Sequence, residues 1–110
     1  MYDSGRGTAV DKAEALKWYR KAAEQGHASA QFNLSLKYRK GEGTPVNMVE
    51  AFKWELKAAE QGDAEAQVNV GIAYYTGEGV AEDKRAAQKW VRAAADQGDD
   101  KAKEILRKFF

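Results

Sequence analysis

Small and apolar residues return every three or four positions along this chain, with charged residues between them. From Lys12 to Gln25 they are Ala15, Trp18, Tyr19, Ala22 and Ala23, a spacing that collects them on one face of an α-helix. From Ala28 to Arg39 the same rhythm gives an inner stripe of Ala30, Leu34 and Tyr38. Asp11 stands just before the first stretch, where its carboxylate can accept from the free N–H groups of a first helical turn. Asn47 and Asp83 hold the matching places further on. Gly26 is predicted to stop the first helix in a left-handed conformation that glycine enters cheaply. The remaining helices are predicted over Met48–Gln61, Ala64–Tyr75, Lys84–Gln97 and Asp100–Phe109.

The pattern repeats as a whole. Trp18, Trp54 and Trp90 fall about 36 residues apart, within the range of helical repeats. Gly5 and Gly7 return as Gly41 and Gly43 and as Gly77 and Gly79. The run Ala22-Ala23-Glu24-Gln25-Gly26 returns from Ala58 and, with Asp96 for the glutamate, from Ala94. Tyr2, Tyr38 and Tyr74 align, with Phe110 in the fourth place. The 110 residues are therefore expected to form one domain with units 5–40, 41–76 and 77–110 in register, the N-terminal repeat lacking its first helix. One helix pair cannot cover its own apolar face, so neighbours must stack. The fold expected is all-α: a short superhelical solenoid of antiparallel helix pairs. The alanine pairs let helix axes approach, and Trp18, Trp54 and Trp90 are expected to fill the core between units.

Charge removes several function classes. The net charge is +1 with both signs interspersed, which does not provide the basic stripe that nucleic acids need. No apolar run is long enough to span a bilayer, and no signal-peptide stretch follows Met1; the cellular compartment stays open. Cysteine is absent and His27 is the sole histidine, so neither a histidine-based metal cluster nor a catalytic dyad can be assembled within one chain. Gly41-Glu42-Gly43 precedes a helix, but no strand leads into it and the third glycine of a phosphate-binding fingerprint is missing. Glu14, Glu24, Glu50 and Glu60 repeat with the units and read as a solvated face, since acid–base catalysis needs one differentiated site. No cofactor, metal or catalytic residue is expected.

Gly-x-Gly, the capping Asp or Asn, Ala-x-x-Trp, Ala-Ala-x-Gln-Gly, Ala-x-Ala-Gln, and the following Leu and Tyr together resemble the Sel-one-like repeat (SLR) family, relatives of the tetratricopeptide repeats. The resemblance covers essentially the whole chain. It implies a right-handed superhelix and an adaptor or scaffold role in protein binding. By resemblance to tetratricopeptide arrays, the outer face of the second helix of each unit lines a concave surface. That face carries Ser29, Asn33, Leu36 and Lys37, then Glu65, Asn69, Ile72 and Ala73. Asn33 and Asn69 are equivalent, and an amide that both donates and accepts can hold an extended peptide backbone. Leu36 and Ile72 would add apolar contact.

The sequence departs from the family pattern in places. The close-packing glycine after the leucine survives only as Gly71, with Ser35 and Arg107 in its place elsewhere. The last helix carries Asp100, Lys103, Glu104, Arg107 and Lys108, as a polar cap would. The leading expectation is a scaffold that binds a protein or peptide segment on its concave surface. A second is a truncated or self-associating subunit of a longer array, with a homodimer formed through the N-terminal helix pair. A third, weaker one follows from cysteine-rich relatives linked to β-lactam binding or hydrolysis, although the serine–lysine motif of penicillin-binding enzymes is missing here.

Overall fold

The computed structural model describes residues 8–110, with side chains placed from Lys12 onward. Among the described residues there are six helices and no strand: α1 (Thr8–Glu24), α2 (Ala28–Lys40), α3 (Met48–Glu60), α4 (Ala64–Thr76), α5 (Lys84–Asp96) and α6 (Asp100–Phe109). Tyr2, Gly5 and Gly7, which carry the N-terminal trace of the repeat, lie outside them. Contacts run between helices consecutive in sequence, most extensively for α2 with α3 and α4 with α5, as expected of a solenoid.

Local signals set most of the ends. The Asn47 side chain accepts from the Glu50 N–H at 3.0 Å, and Asp83 does the same for Ala86 at 3.0 Å. Asp63 and Asp99 cap α4 and α6 in the same way, two caps that the sequence reading did not single out. His27 holds their place before α2 and makes no cap bond. Asp11, expected just before the first helix, instead lies within α1, which begins at Thr8. After α1, Gly26 adopts φ +96°, the left-handed stop its position predicts.

The core forms where one helix pair meets the next. Trp54 is 6 % exposed and joins Ala23, Ala30, Leu34, Tyr38 and Ala51. Trp90 is half-buried against the equivalent set around Ala59, Ala66, Val70 and Tyr74. Trp18 departs from the core role expected of it: it is 58 % exposed, with the Lys21 ammonium 5.4 Å from its ring centre. The slot for each tryptophan is built by the helix pair before it, and among the described residues no pair precedes α1.

Glutamines join the units as well. Gln31 Nε2 donates to the Ala23 carbonyl at 3.1 Å, and Gln67 Nε2 to Ala59 at 3.2 Å. Gln61 Nε2 reaches back to the Gly26 carbonyl and to Gln31 Oε1 at 2.8 and 2.9 Å. Gln97 does the same to Gly62 and Gln67, at the same distances. The repeated Ala-Ala-x-Gln-Gly and Ala-x-Ala-Gln motifs are thus the two halves of one inter-unit clasp. Its amides add a second bond to the Ala23 and Ala59 carbonyls, which also accept from the Gly26 and Gly62 N–H groups, and they cap the Gly26 and Gly62 carbonyls just past the helix ends.

Gly71 explains the close approach of α4 and α5. A Cβ there would come within 2.5 Å of Val91 Cγ2 and 3.1 Å of the Ala87 carbonyl. Ser35 occupies the same register position and is fully buried. By register its counterpart on the next helix is Glu55, where Gly71 has Val91, and the serine hydroxyl bonds back to the Phe32 carbonyl at 2.6 Å.

Candidate functional site

The face shared by α2, α4 and α6 contains two hollows between α4 and α6. One, of about 230 Å³, lies near the helix N-termini and is lined by Glu65, Val68, Asn69, Asp99 and Lys101. The other, of about 320 Å³, is apolar; Ile72, Tyr75, Val91, Ile105, Phe109 and Phe110 form most of its wall. Tyr75 stands edge-on to Phe109 and Phe110, at 5.9 and 5.6 Å between ring centres. Thr76 turns its hydroxyl back to the Ile72 carbonyl at 3.0 Å, so that side chain adds no free polar group to the wall.

Among the residues expected to bind a partner, Glu65 and Asn69 line the polar hollow and Ile72 the apolar one. Ser29 is exposed, while Asn33 and Leu36 are half-buried on α2. Lys37 pairs with Glu42 at 3.3 Å and lies 5.3 Å from the Tyr19 ring centre. Ala73 does not belong to this surface. It is 5 % exposed and packs in the core with Phe52, Ala58 and Val70. Its equivalent Lys37 reaches solvent because its side chain is long, whereas a methyl group at that position stays beneath the surface.

Sequence reasoning missed the most unusual group on this face. Glu55 is fully buried in α3 and forms an ion pair with Arg39 of α2, whose side chain is 31 % exposed. Burial pushes the Glu55 carboxyl above its usual range; Arg39 and the Asn69 amide act in the opposite direction without cancelling the rise. Glu55 Oε2 and Arg39 Nε have no hydrogen-bond partner among the described residues. The signal was present as a break in the repeat. The position of Glu55 is Tyr19 in the preceding unit and Val91 in the next, and that of Arg39 is Tyr75 in the next. A buried carboxylate inside an otherwise apolar register is the differentiated feature that the evenly repeated surface glutamates lack.

Helix pairs stacked in one dimension, clasped by repeated glutamines and offering hollows along one face, define an α-solenoid repeat protein. The Sel1 repeat model matches residues 1–27, 28–63 and 64–99, and the chain belongs to the Sel1 repeat family. Proteins of this family serve generally as protein-interaction scaffolds. Among solved structures, a Sel1 repeat protein from Oxalobacter formigenes is 50 % identical, with a TM-score of 0.79, over 82 % of this chain and 37 % of its own. A protective antigen present in uropathogenic Escherichia coli strains, displaying an SLR fold, is 42 % identical with a TM-score of 0.79, over 82 % of this chain and 19 % of its own. The cysteine rich protein B of Helicobacter pylori shares the fold at 23 % identity and a TM-score of 0.79, over 84 % of this chain and 69 % of its own. This chain therefore spans just over a third of the first and about a fifth of the second. No curated protein matches it in sequence. Among the described residues, no helix is long and apolar enough to cross a membrane.

Proposed function

We propose that this chain is an interaction module whose α2–α4–α6 face binds an extended segment of another protein. The observation that carries this reading is the pair of hollows between α4 and α6, where Asn69 borders one and Ile72 the other. A backbone laid along the face meets asparagine amides at equivalent positions of successive units, while its side chains enter the apolar hollow. Clefts with apolar walls and a few convergent polar groups are the usual form of a binding site.

A displayed random-peptide library selected on the whole chain supplies the test ligand, and calorimetry then compares variants. Asn33→Ala should weaken the selected peptide about two- to tenfold, as the loss of one hydrogen bond of about 0.5–1.5 kcal/mol does. Asn33→Ala with Asn69→Ala should weaken it further. Asn69 also acts on Glu55, so melting of the double variant is measured alongside. Unchanged affinity in a folded double variant would remove both asparagines from the site.

A second reading is favoured by Trp18. Its ring is 58 % exposed on α1, and exposed apolar surface is commonly covered by association. A two-fold contact between two copies of α1 would bury both rings at once. The mass by sedimentation should then rise with concentration for the parent chain and stay monomeric for Trp18→Glu. A parent that remains monomeric at high concentration rules this contact out.

A further inference from the structure

The apolar hollow has a counterpart one unit earlier. Moved back by one repeat, Gly71, Ile72, Tyr75, Thr76, Val91 and Ile105 become Ser35, Leu36, Arg39, Lys40, Glu55 and Asn69. The same register, of two second helices over the first helix between them, thus recurs over Glu55, where Phe109 and Phe110 give way to Ala73 and Tyr74 of the core. Over Val91 it is wholly apolar. Over Glu55 it is polar, with Arg39 tied to the buried carboxylate and Asn69 beside it.

The fold does not require the polar version, because Tyr75 and Val91 fill the same register with apolar groups one unit later. A buried ion pair is often no more stabilising than an apolar pair of similar volume. What Glu55 does is hold the Arg39 guanidinium at the groove. Arg39 bonds Glu55 through Nη2, and a guanidinium has five N–H donors in a fixed fork suited to a carboxylate. Beside it, Lys40 is exposed and makes no ion pair among the described residues. α2 contains no acidic side chain, and its last turn holds Lys37, Arg39 and Lys40. An anion approaching this niche meets positive charge from the groove wall, and the carboxylate of Glu55 is buried behind the arginine.

We propose that the two niches are adjacent subsites reading one extended peptide, a large apolar side chain filling the hollow over Val91 and a carboxylate about three residues away meeting Arg39. This deepens the peptide-binding reading above and rests on it. The hollow of about 320 Å³ lies at the small end of ligand pockets, which run from about 300 to 1,000 Å³; it suits one side chain. The spacing follows from geometry. Packed helices stand roughly 8–10 Å apart, and an extended chain advances about 3.3 Å per residue. Arg39 and Lys40 are complementary to the peptide's carboxylate, and Glu55 is a positioning residue for Arg39.

The test uses the whole chain, labelled with ¹⁵N, and blocked octapeptides of serine and glycine carrying one Asp and one Phe three residues apart, in both orders. Matched peptides replace Asp with Asn, or Phe with Ser. With the preferred order, amide shifts should move together at Ile72, Tyr75 and Ile105 and at Arg39. Replacing Asp with Asn should weaken binding about tenfold, and replacing Phe with Ser should abolish the shifts at the apolar hollow. The variant Ser35→Gly, Arg39→Tyr, Lys40→Thr and Glu55→Val installs the residues of the next unit, including the glycine that valine at that position requires. It should bind the Asp and Asn peptides alike. Equal binding of the two peptides to the parent chain overturns the proposal, and that comparison needs no variant. A preference for Asp that survives in this variant overturns it too. Phe-dependent shifts without any preference for Asp sink the paired subsites and leave the peptide groove standing. Shifts from no peptide anywhere on α2, α4 or α6 sink both.

Discussion

Trp54→Ala should lower the free energy of unfolding by about 3–5 kcal/mol, as truncating a large core aromatic does, while Trp18→Ala should change it by no more than about 0.5 kcal/mol. The two residues occupy the same register position of successive units. Trp54 is 6 % exposed among side chains from α1, α2 and α3, whereas Trp18 is 58 % exposed on α1. Removing the buried ring leaves a cavity between units, and the surrounding alanines are too small to close it. A domain of this kind has only about 5–15 kcal/mol in total, so Trp54→Ala should unfold in markedly less urea. Equal losses at the two positions would contradict the assignment of Trp54 to the junction between helix pairs.

Arg39→Ala should destabilise the chain by about 3–5 kcal/mol at neutral pH, because it strips the partner from a buried carboxylate. The penalty should shrink on acidification. Burial already raises the Glu55 carboxyl above its usual 4.5, against the pull of Arg39 and Asn69. A folded chain with a raised carboxyl pKa holds its proton over a range where the unfolded chain has released it. The stability from that proton is complete below about pH 4.5, the unfolded value, and is lost as pH rises through the folded value. Without Arg39 the rise is larger, so the variant should lose more stability than the parent between mild acid and neutrality. Urea unfolding of both proteins at a series of pH values reads the difference directly, and titrations common to both cancel. A gap that stays constant with pH would mean that Glu55 is not the group left unpaired.

Much of the architecture was legible before any packing was considered. Helix ends at Asn47, Asp83 and Gly26 are written in local chemistry, since a capping side chain or a left-handed glycine acts within a few residues of itself. The repeat in tryptophans, alanine pairs and glycine loops likewise named the solenoid, because one helix pair leaves an apolar face that only another pair can cover. Asp11 shows the limit of that local logic: the helix it was expected to open begins three residues earlier, at Thr8.

The proposed binding face was only half legible. Period placed Asn33, Leu36, Asn69 and Ile72 on one side of α2 and α4, and the hollows between α4 and α6 accept Asn69 and Ile72. Period also placed Ala73 there, and the core took it, because a methyl group at the edge of a stripe is buried where a lysine is not. Glu55 could be noticed only as a break in the register, and its sequence neighbourhood is that of a surface helix.

The sequence by itself determined which segments are helical, where most of them stop, and that units of about 36 residues must stack. Those properties depend on short-range chemistry and on periodicity along one chain. Tertiary structure alone decided that Trp54 is core while Trp18 faces water, that glutamines about thirty residues apart clasp neighbouring units, and that Glu55 is buried behind Arg39. Each of these depends on what the adjacent helix pair provides, and identical motifs acquire different surroundings when their neighbours differ.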